Sequence, residues 1–297
     1  MNDNLSNLTV IILTFKTKIE ILKNCLDTIN KEVNILLVEN SDNLKNKSEL
    51  ESKYQNLKII CTGSNLGYGG GNNYGLNNVN TEYALILNPD TTCEKNFFLN
   101  IKKYLNNEID FSIIGSTYEN ESSYKSAGFF NDKKLDKSKF IKEYNLYEVD
   151  WIVGCSVLIN MKKFNNNFFD ENFFLFWEEF DLCKRAKDKN EKVFMSTDLK
   201  INHLGFQSSL SKDKEFEIEF IKLRNWHYMW SFFYFHKKHY GFLNAFLKSL
   251  GRFLRSIFKI LFYTLTFNEK ERTTYTFRFL GLFSSMINRK SYFRIKI

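Results

Sequence analysis

The chain has 297 residues and a mass of 35.4 kDa, enough to bury one large core or one core with an appended region. Its five cysteines are odd in number, widely spaced and free of C-x-x-C pairs, which argues against a disulfide framework or a zinc site and favours a reducing cytosol. The start of the chain lacks a basic secretory signal, and no uncharged apolar stretch reaches the roughly 20 residues that a membrane-spanning helix needs.

The net charge of +8 is unevenly distributed. Residues 222–297 hold 15 Lys and Arg but only two Asp and Glu, whereas residues 1–221 hold 27 against 32. The composition also includes 31 Phe and a single Pro, typical of an AT-rich coding bias, so part of the basic character is a matter of codon usage. The placement of the charge at the C-terminal end is the more informative property.

Short β runs alternate with helical periods over the first hundred residues. The pattern predicts strands at 8–14, 34–38, 57–61 and 83–87, and helices at 19–29 and 47–54. Strands separated by helices of about ten residues predict right-handed βαβ units. We therefore expect a doubly wound, Rossmann-like α/β fold, with a mostly parallel sheet flanked by helices. Residues 118–147, rich in Lys, Ser and Asn, are expected to form an exposed excursion.

The single proline, Pro89, follows the apolar run 84–87 and precedes Asp90. The residue before a proline avoids helical geometry, so the chain is expected to turn out of the sheet there. Asp90 would then stand at the carboxyl end of a strand, where α/β sheets bind ligands and where a carboxylate can hold a hard cation beside a phosphate. An ordinary turn aspartate is the structural alternative.

The densest glycine cluster of the chain spans residues 63–75. Such a segment, read as a loop, lets the backbone approach a ligand, and the helix that follows offers its N–H groups to a phosphate. The cluster follows the third strand instead of the first and lacks G-x-G-x-x-G spacing, which argues against a dinucleotide site, and the absence of Gly-Lys-Ser/Thr excludes a P-loop. A flexible turn is the alternative.

An acidic group lies at residues 168–185, where aromatic residues give way to a predicted helix. Glu178, Glu179 and Asp181 occupy its first turns, where the helix dipole favours anions, and capping is the plain structural interpretation. Aromatic walls beside paired carboxylates also desolvate a carboxylate and raise its pKa toward that of a working base.

The ordered series of motifs resembles family 2 glycosyltransferases, especially the bacterial branch that includes rhamnosyltransferases. The resemblance covers nearly the whole chain and depends on order and spacing more than on any one motif. The matching segments are Val10-Ile-Ile-Leu-Thr-Phe15, Leu37-Val-Glu-Asn-Ser41, Asn65-Leu-Gly-Tyr-Gly-Gly-Gly-Asn-Asn-Tyr-Gly75, Asn88-Pro-Asp90, Phe169-Asp-Glu-x-Phe-Phe-x-x-x-Glu-Glu-x-Asp-Leu-Cys-x-Arg185, His203 and Arg224-Asn225.

The resemblance implies a GT-A fold that transfers a sugar from a nucleotide-diphosphate donor to an acceptor hydroxyl, usually with inversion. Nucleotide and donor binding is implied for these matched positions: Thr14, Glu39, Asn65, Gly67, Asn73 and Asp90. Asp90 corresponds to the last acid of the family's metal-binding D-x-D element, here Asn-Pro-Asp, which implies a divalent cation, Mg²⁺ or Mn²⁺.

The resemblance also implies Glu179 as the general base. Glu39 and Glu179 depart from the family, which usually has Asp at both positions, and Glu178 remains a rival base. His203 matches a family histidine that could contact metal or phosphate, and a structural histidine is the alternative. His236 and His239, on one predicted helix face, are expected to be surface residues.

Residues 242–267 predict a helix with a basic stripe. Its members, at i, i+4, i+7 and i+11, fall within an arc of roughly 60°: Lys248, Arg252, Arg255 and Lys259. Leu and Phe fill the rest, a pattern typical of a helix lying on an anionic membrane surface. A helix packed on its own domain is the alternative, and no recognised nucleic-acid module accompanies the charge.

The sequence thus predicts a GT-A domain at 1–205 and a helical, basic, membrane-associating region at 206–297. We expect a cytoplasmic glycosyltransferase, peripheral to the inner face of a bacterial membrane, that acts on a glycan or lipid-linked acceptor in surface polysaccharide synthesis. A non-catalytic sugar-nucleotide-binding homologue and a nucleotidyltransferase are the alternatives. The pair Asp90 and Glu179 argues against the first, and the missing basic glycine-rich loop after Phe15 argues against the second.

Overall fold

A computed structural model describes residues 4–106, 109–118, 126–130, 139–203 and 216–295. These residues form two compact units. The first is drawn from Met1–Leu66, Gly70–Phe169 and Glu179–Leu210, and the second from Gly67–Gly69, Asp170–Glu178 and Ser211–Ile297.

The strands belong to the first unit and are mostly short. In chain order they are β1 (Leu8–Thr14), β2 (Asn34–Glu39), β3 (Leu57–Cys61), β4 (Tyr83–Leu87), β5 (Thr91–Cys93), β6 (Ile113–Tyr118), β7 (Ala127–Gly128), β8 (Phe140–Ile141), β9 (Leu146–Glu148), β10 (Trp151–Ile152), β11 (Ser156–Asn160) and β12 (Val193–His203).

Among the described residues, ten strands form one sheet with the order β3-β2-β1-β4-β11-β6-β12-β9-β8, and β5 pairs with β12. Strands β7 and β10 pair separately. The pairs from β3 to β4 are parallel, as is β6 with β12, whereas β11 runs antiparallel to both of its neighbours. This is the mostly parallel α/β sheet that the sequence predicts.

The helices are α1 (Ile19–Leu26), α2 (Lys47–Lys53), α3 (Gly67–Leu76), α4 (Phe97–Asn106), α5 (Glu178–Asp188), α6 (Glu217–Tyr240), α7 (Phe242–Leu265) and α8 (Glu269–Met286). Two short 3₁₀ turns lie at Asn4–Asn7 and Met161–Lys163. Strand β1 is buried along nearly its whole length, as expected for a central strand covered on both faces.

The glycine cluster is a correction to the prediction, because residues 67–76 form helix α3 instead of a loop. Its glycines allow a close helix–sheet contact. A Cβ on Gly71 would overlap the Leu13 side chain, and one on Gly75 would overlap Ile11. The glycines of this part of α3 therefore serve packing against β1, a constraint that spacing along the sequence does not reveal.

The second unit is built around the three long helices α6, α7 and α8. Its core includes a small cluster contributed by all three helices: Met229, Phe233, Ala245 and Leu282. The predicted domain boundary after residue 205 lies outside the described residues and stays a prediction, as does the half of the predicted excursion at 118–147 that lies outside them. No helix within the described residues combines the length and apolarity that crossing a membrane requires.

Candidate active site

The carboxyl ends of β1 and β2 bring together two of the predicted nucleotide-binding residues. Thr14 and Glu39 end neighbouring parallel strands and are partners in the strand register. The Thr14 hydroxyl donates a hydrogen bond to Glu39 Oε2 at 2.7 Å. Both side chains are almost completely buried. The family-derived positions thus form one contact at the sheet edge where α/β proteins bind ligands.

The Glu39 carboxylate has hydroxyl donors on both of its oxygens. The Ser41 hydroxyl donates to Glu39 Oε1 at 2.6 Å, opposite the bond from Thr14. Such bonds to a charged acceptor are short and strong, and they hold the carboxylate in one orientation. The extra methylene that distinguishes Glu from Asp is therefore accommodated by two fixed hydroxyls.

Asn40, which the sequence interpretation passed over, ties the end of β2 to the segment before α3. Its side-chain oxygen accepts from the backbone N–H of Leu66 at 2.9 Å, and its side-chain nitrogen donates to the Asn65 side chain at 3.2 Å. Asn40 therefore positions Asn65, a predicted donor-binding residue. Its place directly after the Glu39 carboxylate is the signal that could have identified it.

Asp90 follows β4 and lies beside His203, at the end of β12. Strands β5 and β12 pair antiparallel with Thr91 opposite His203, so the register itself sets the two side chains close together. His203 Nε2 lies 3.2 Å from Asp90 Oδ1. Asp90 is 2% exposed, whereas the imidazole is partly exposed and stacks on the Tyr118 ring.

These two side chains fit the predicted cation only as part of a larger ligand set. No group of three or more His, Cys, Asp or Glu side chains suited to a metal exists within the described residues. A carboxylate oxygen and an imidazole nitrogen at 3.2 Å are nevertheless a compatible pair of donors for a divalent cation, which would need further ligands from outside the chain.

Glu179 is a partly buried carboxylate near the start of α5. Burial raises its pKa to about 7, and hydrogen bonds from its own backbone N–H and that of Gly154 act in the opposite direction. A carboxylate with a pKa near neutrality is suited to accept a proton at physiological pH. Gly154 belongs to no recognisable motif, so only the fold reveals its role.

Cys155 links the two acidic positions. Burial raises the pKa of its thiol to about 12, and the negative charges of Asp90 and Glu179 contribute to that rise. The charges of both carboxylates therefore act on one small buried side chain. The thiol donates to the Tyr118 hydroxyl at 3.3 Å, and the Cys155 carbonyl accepts from the Asn88 backbone N–H at 2.9 Å. The structure thus places His203 beside Asp90, and the charge of Glu179 acts on the same buried thiol as that of Asp90.

A strained aromatic turn precedes the two glutamates. Phe176 and Trp177 have φ values of 68° and 73°, a left-handed conformation that is rare for bulky residues. The Trp177 ring packs against Phe232 and Phe235 of α6, which holds the turn in place. Glu178 follows as the first residue of α5 and is 3% exposed.

The other acid of this segment is structural. Asp181 is fully buried and accepts from Arg185 Nε at 2.8 Å, one helical turn along. The same guanidinium donates to the carbonyls of Asn167 and Phe168. The ion pair with Arg185 accounts for the burial of Asp181, so no catalytic role is needed to explain it.

Asn73 and Gly67 have contacts that account for their residue type. The Asn73 amide accepts from the Phe169 N–H and donates to the Phe169 carbonyl, both at 2.9 Å. Gly67 has a φ of 80°, and a Cβ there would overlap the Phe174 carbonyl oxygen. Their predicted contacts with a donor stay predictions.

Comparison with known proteins bears on the family of the chain and on the part of the site that precedes residue 169. A sequence model described as "Glycosyl transferase family 2" matches residues 9–168, which is more than half of the chain. The chain belongs to glycosyl transferase family 2. The matched region contains the Thr14–Glu39 pair, Asp90 and Cys155.

Two family relatives have named activities. The chain is 30% identical over 203 residues to the low-salt glycan biosynthesis hexosyltransferase Agl10 of Haloferax volcanii, covering 64% of each chain. It is 27% identical over 192 residues to the rhamnosyltransferase WbbL of Escherichia coli, covering 55% of this chain and 71% of the relative. The similarity to the archaeal relative therefore spans somewhat less than two thirds of its length.

Two glycosyltransferase crystal structures have a similar fold. The mannosyltransferase PcManGT of Pyrobaculum calidifontis, in complex with GDP-Man and Mn²⁺, superposes with a TM-score of 0.57 at 10% identity, covering 96% of this chain and 88% of the other. GalNAc-T7 with UDP, GalNAc and Mn²⁺ gives 0.54 at 13% identity, covering 68% and 44%. This likeness confirms the predicted GT-A fold, a central sheet flanked by helices with a C-terminal helical region.

Proposed function

We propose that this family 2 member is an inverting glycosyltransferase that moves a hexosyl group from a nucleoside-diphosphate donor to an acceptor hydroxyl. The supporting observation is that two carboxylates with different environments, Asp90 and Glu179, both help to raise the pKa of the same buried thiol, that of Cys155. Asp90 stands next to an imidazole, whereas Glu179 has a pKa raised to about 7 by burial. The two groups are therefore suited to different tasks.

Glu179 acts as the general base in this proposal. The acceptor hydroxyl loses its proton to the Glu179 carboxylate while its oxygen forms a bond to the anomeric carbon of the donor. The bond from that carbon to the diphosphate breaks, and the nucleoside diphosphate departs with the electron pair. One displacement from the face opposite the leaving group inverts the anomeric configuration, so one base is sufficient. Glu178 remains the rival base.

Asp90 and His203 hold a divalent cation in this proposal, Mg²⁺ or Mn²⁺. A bound cation neutralises charge on the diphosphate as it leaves. The burial of Asp90 keeps the carboxylate away from competing water, and the strand pairing of β5 with β12 fixes His203 next to it. The chain itself contributes the position of these two donors, and the donor phosphates complete the set.

Thr14, Glu39, Asn65, Gly67 and Asn73 are proposed to form the nucleotide and donor site. The Thr14–Glu39–Ser41 hydrogen bonds give a carboxylate of fixed orientation at the sheet edge. A fixed acceptor of this kind suits the N–H and O–H donors of a nucleoside.

The relatives suggest the class of acceptor. Agl10 is named for glycan biosynthesis and WbbL for rhamnosyl transfer. We propose that the acceptor here is a glycan or lipid-linked saccharide in surface polysaccharide synthesis, and that the enzyme works in the cytoplasm at the inner face of the membrane.

A donor panel tests the proposal. The purified chain is incubated with UDP-, GDP- and dTDP-sugars, Mn²⁺ and a saccharide acceptor, and the release of nucleoside diphosphate is measured. We expect release with one nucleotide class, and a product of inverted anomeric configuration by NMR.

Two outcomes would contradict this function. Tight donor binding without any turnover across the panel would indicate a non-catalytic homologue. Release of pyrophosphate from a nucleoside triphosphate and a sugar phosphate would indicate a nucleotidyltransferase. The Glu179→Gln variant is the matched control, because it should bind donor but release much less nucleoside diphosphate.

A further inference from the structure

Helix α7 buries small residues and exposes large apolar ones, the reverse of an ordinary amphipathic helix in water. Its buried residues are small, namely Ala245, Ser249 and Ser256. The two serine hydroxyls donate to carbonyls one turn back in the same helix, so they are buried without an outside partner. A water-exposed helix normally buries its large apolar side chains and exposes polar ones. In α7, small residues face the protein, as they do between helices in membranes.

The large apolar side chains of α7 face solvent. Seven of them are each more than half exposed, with Leu265 at 79% and Leu243 at 70%. Phe242, the first residue of the helix, points in a different direction from the others. At 100° per residue the remaining six fall within an arc of about 60°: Leu243, Leu247, Leu254, Phe258, Leu261 and Leu265. A continuous surface of this kind is rare on a monomer in water and marks a contact with another apolar body. We name these six residues the α7 apolar face.

The neighbouring helix shares part of this arrangement. Helix α8 buries Gly281, Ser284 and Ser285 together with the larger Tyr275 and Leu282, and it exposes Leu280 and Phe283. A Cβ on Gly281 would overlap the backbone carbonyl of Trp226 in α6. Gly281 therefore serves a close contact between helices of this unit, while two large apolar side chains of α8 remain exposed.

The predicted basic stripe lies at one edge of the α7 apolar face. Lys248, Arg252, Arg255 and Lys259 are centred about 120° around the helix from that face. Helix α7 contains no Asp or Glu. The Arg252 guanidinium lies 4.4 Å from the Phe232 ring centroid, which fixes the direction of its side chain. Long basic side chains at this angle can reach lipid headgroups while the apolar face enters the acyl region.

We propose that the α7 apolar face and its basic edge are a docking surface for an anionic lipid bilayer, with α7 lying in the plane of the interface. The charge of the edge selects lipid over a second copy of this chain, because two copies would bring their own basic stripes together. The inference extends the proposed function by assigning its membrane contact to named residues, and it does not depend on sugar transfer.

Vesicle flotation tests the proposal with the full chain. The wild type should float with phosphatidylglycerol-containing vesicles, should stay behind with pure phosphatidylcholine, and should detach as salt is raised. The apolar variant is Leu243, Leu247, Leu254 and Leu261→Gln, and the stripe variant is Lys248, Arg252, Arg255 and Lys259→Gln. Each should lower the vesicle affinity by about 10- to 1,000-fold.

A charge-matched control removes four positive charges from the first unit, as many as the stripe variant removes from α7. Its positions are exposed lysines for which the described part of the chain shows no ion pair: Lys31, Lys45, Lys47 and Lys189, each changed to Gln. This control should float like the wild type. If it loses binding as the stripe variant does, net charge and not the α7 surface is responsible, and the proposal fails.

Folding, oligomeric state and activity are measured in parallel. All variants should keep the wild-type Tm, because the changed leucines are exposed, and the single changes Leu243→Gln and Leu265→Gln serve if the fourfold variant unfolds. Equal flotation of the apolar variant overturns the proposal. The proposal also fails if the wild type is a dimer that does not float with vesicles and the apolar variant is a monomer. Transfer to a soluble acceptor should persist in every variant, which separates failure of docking from failure of the proposed function.

Discussion

Asp90 and His203 meet at 3.2 Å because two short strands pair antiparallel at the edge of the sheet. The carboxylate is fully enclosed, whereas the imidazole retains an exposed edge. The strand pairing thus fixes one enclosed carboxylate oxygen and one partly exposed imidazole nitrogen side by side. In the proposed function these two atoms would be the donors that the chain offers to a divalent cation.

Removal of either donor should weaken metal binding and turnover together. We expect Asp90→Asn to lower kcat/KM by about 10²-fold or more, and His203→Gln by a smaller factor. Binding of Mn²⁺ in the presence of nucleoside diphosphate, followed by the EPR signal of free Mn²⁺, should weaken in the same order. Asp110→Asn, at an exposed position, is the control. Full activity of the wild type in EDTA would remove the cation from the mechanism.

The adjacent glutamates offer a matched test of the base. Glu179→Gln should lower kcat by about 10² or more with the donor KM nearly unchanged, whereas Glu178→Gln should have a milder effect. The wild-type kcat should rise with pH through an ionisation near 7, the pKa to which burial raises Glu179. The reverse ranking of the two variants would transfer the role to Glu178.

Glu179 should also cost the protein stability at alkaline pH. Its pKa in the folded state is raised to about 7, above the unfolded value, so between pH 4.5 and 7 the folded state retains a proton that the unfolded state has lost. The contribution of Glu179 to the free energy of unfolding therefore falls as the pH rises from 4.5 to 7. We expect Glu179→Gln to be more stable than wild type by about 1–3 kcal/mol at pH 8 and little changed at pH 4.5. Urea unfolding at both pH values measures the stability difference between the variant and the wild type. The same difference at pH 8 and at pH 4.5 would show that the raised pKa of Glu179 is not its cause.

The strands and helices near the N-terminus could be predicted because their hydrophobic period is clear. Strands β1, β3 and β4 begin and end at the predicted residues. The helical character of residues 67–76 could not be predicted, because glycine is a poor helix former and only the close approach of Gly71 and Gly75 to β1 explains its use. His236, expected at the surface, is buried against aromatic rings of its own helix.

The site was predictable where motifs lie at strand ends and not where the fold alone brings residues together. Glu39 and Asp90 follow recognisable apolar runs. Gly154 and Cys155 have no such context, yet Gly154 provides an N–H to Glu179, and both acids raise the pKa of the buried Cys155 thiol. The outward direction of the α7 leucines was also hidden, because the sequence alone does not tell which side of an amphipathic helix its neighbours cover.

The Asn73 clamp on Phe169 should be worth a measurable part of the stability. Replacement by Ala removes two hydrogen bonds of 2.9 Å and leaves a buried backbone N–H and carbonyl without them. We expect Asn73→Ala to lower the free energy of unfolding by about 2–4 kcal/mol, and Asn77→Ala, at the exposed end of α3, by less than about 0.5 kcal/mol. Urea denaturation compares them, and equal effects would show that the clamp is energetically unimportant.

His227 should make the helical unit sensitive to acid. Its ring is buried, its Nε2 donates to the Phe293 carbonyl at 2.8 Å and its Nδ1 accepts from the Ser291 hydroxyl, so it holds the C-terminal segment as a neutral imidazole. Burial lowers its pKa to about 3, the Arg294 charge adds to the lowering, and the bond to Phe293 opposes it.

The sign of the effect follows from this depressed pKa. As pH falls below the unfolded value of about 6.5, the unfolded chain takes up a proton that the folded ring refuses, so stability present at pH 7.5 is progressively lost toward pH 3. Between pH 7.5 and pH 5 we expect His227 to lower the free energy of unfolding of the wild type by about 2 kcal/mol. The variant His227→Gln, which can retain the donor to Phe293, should lack this contribution. His236→Gln is a useful comparison, because burial and the charges of Lys248, Arg252 and His239 lower its pKa to about 4. Equal loss of stability between pH 7.5 and 5 in wild type and His227→Gln would show that His227 is not the group that responds to acid.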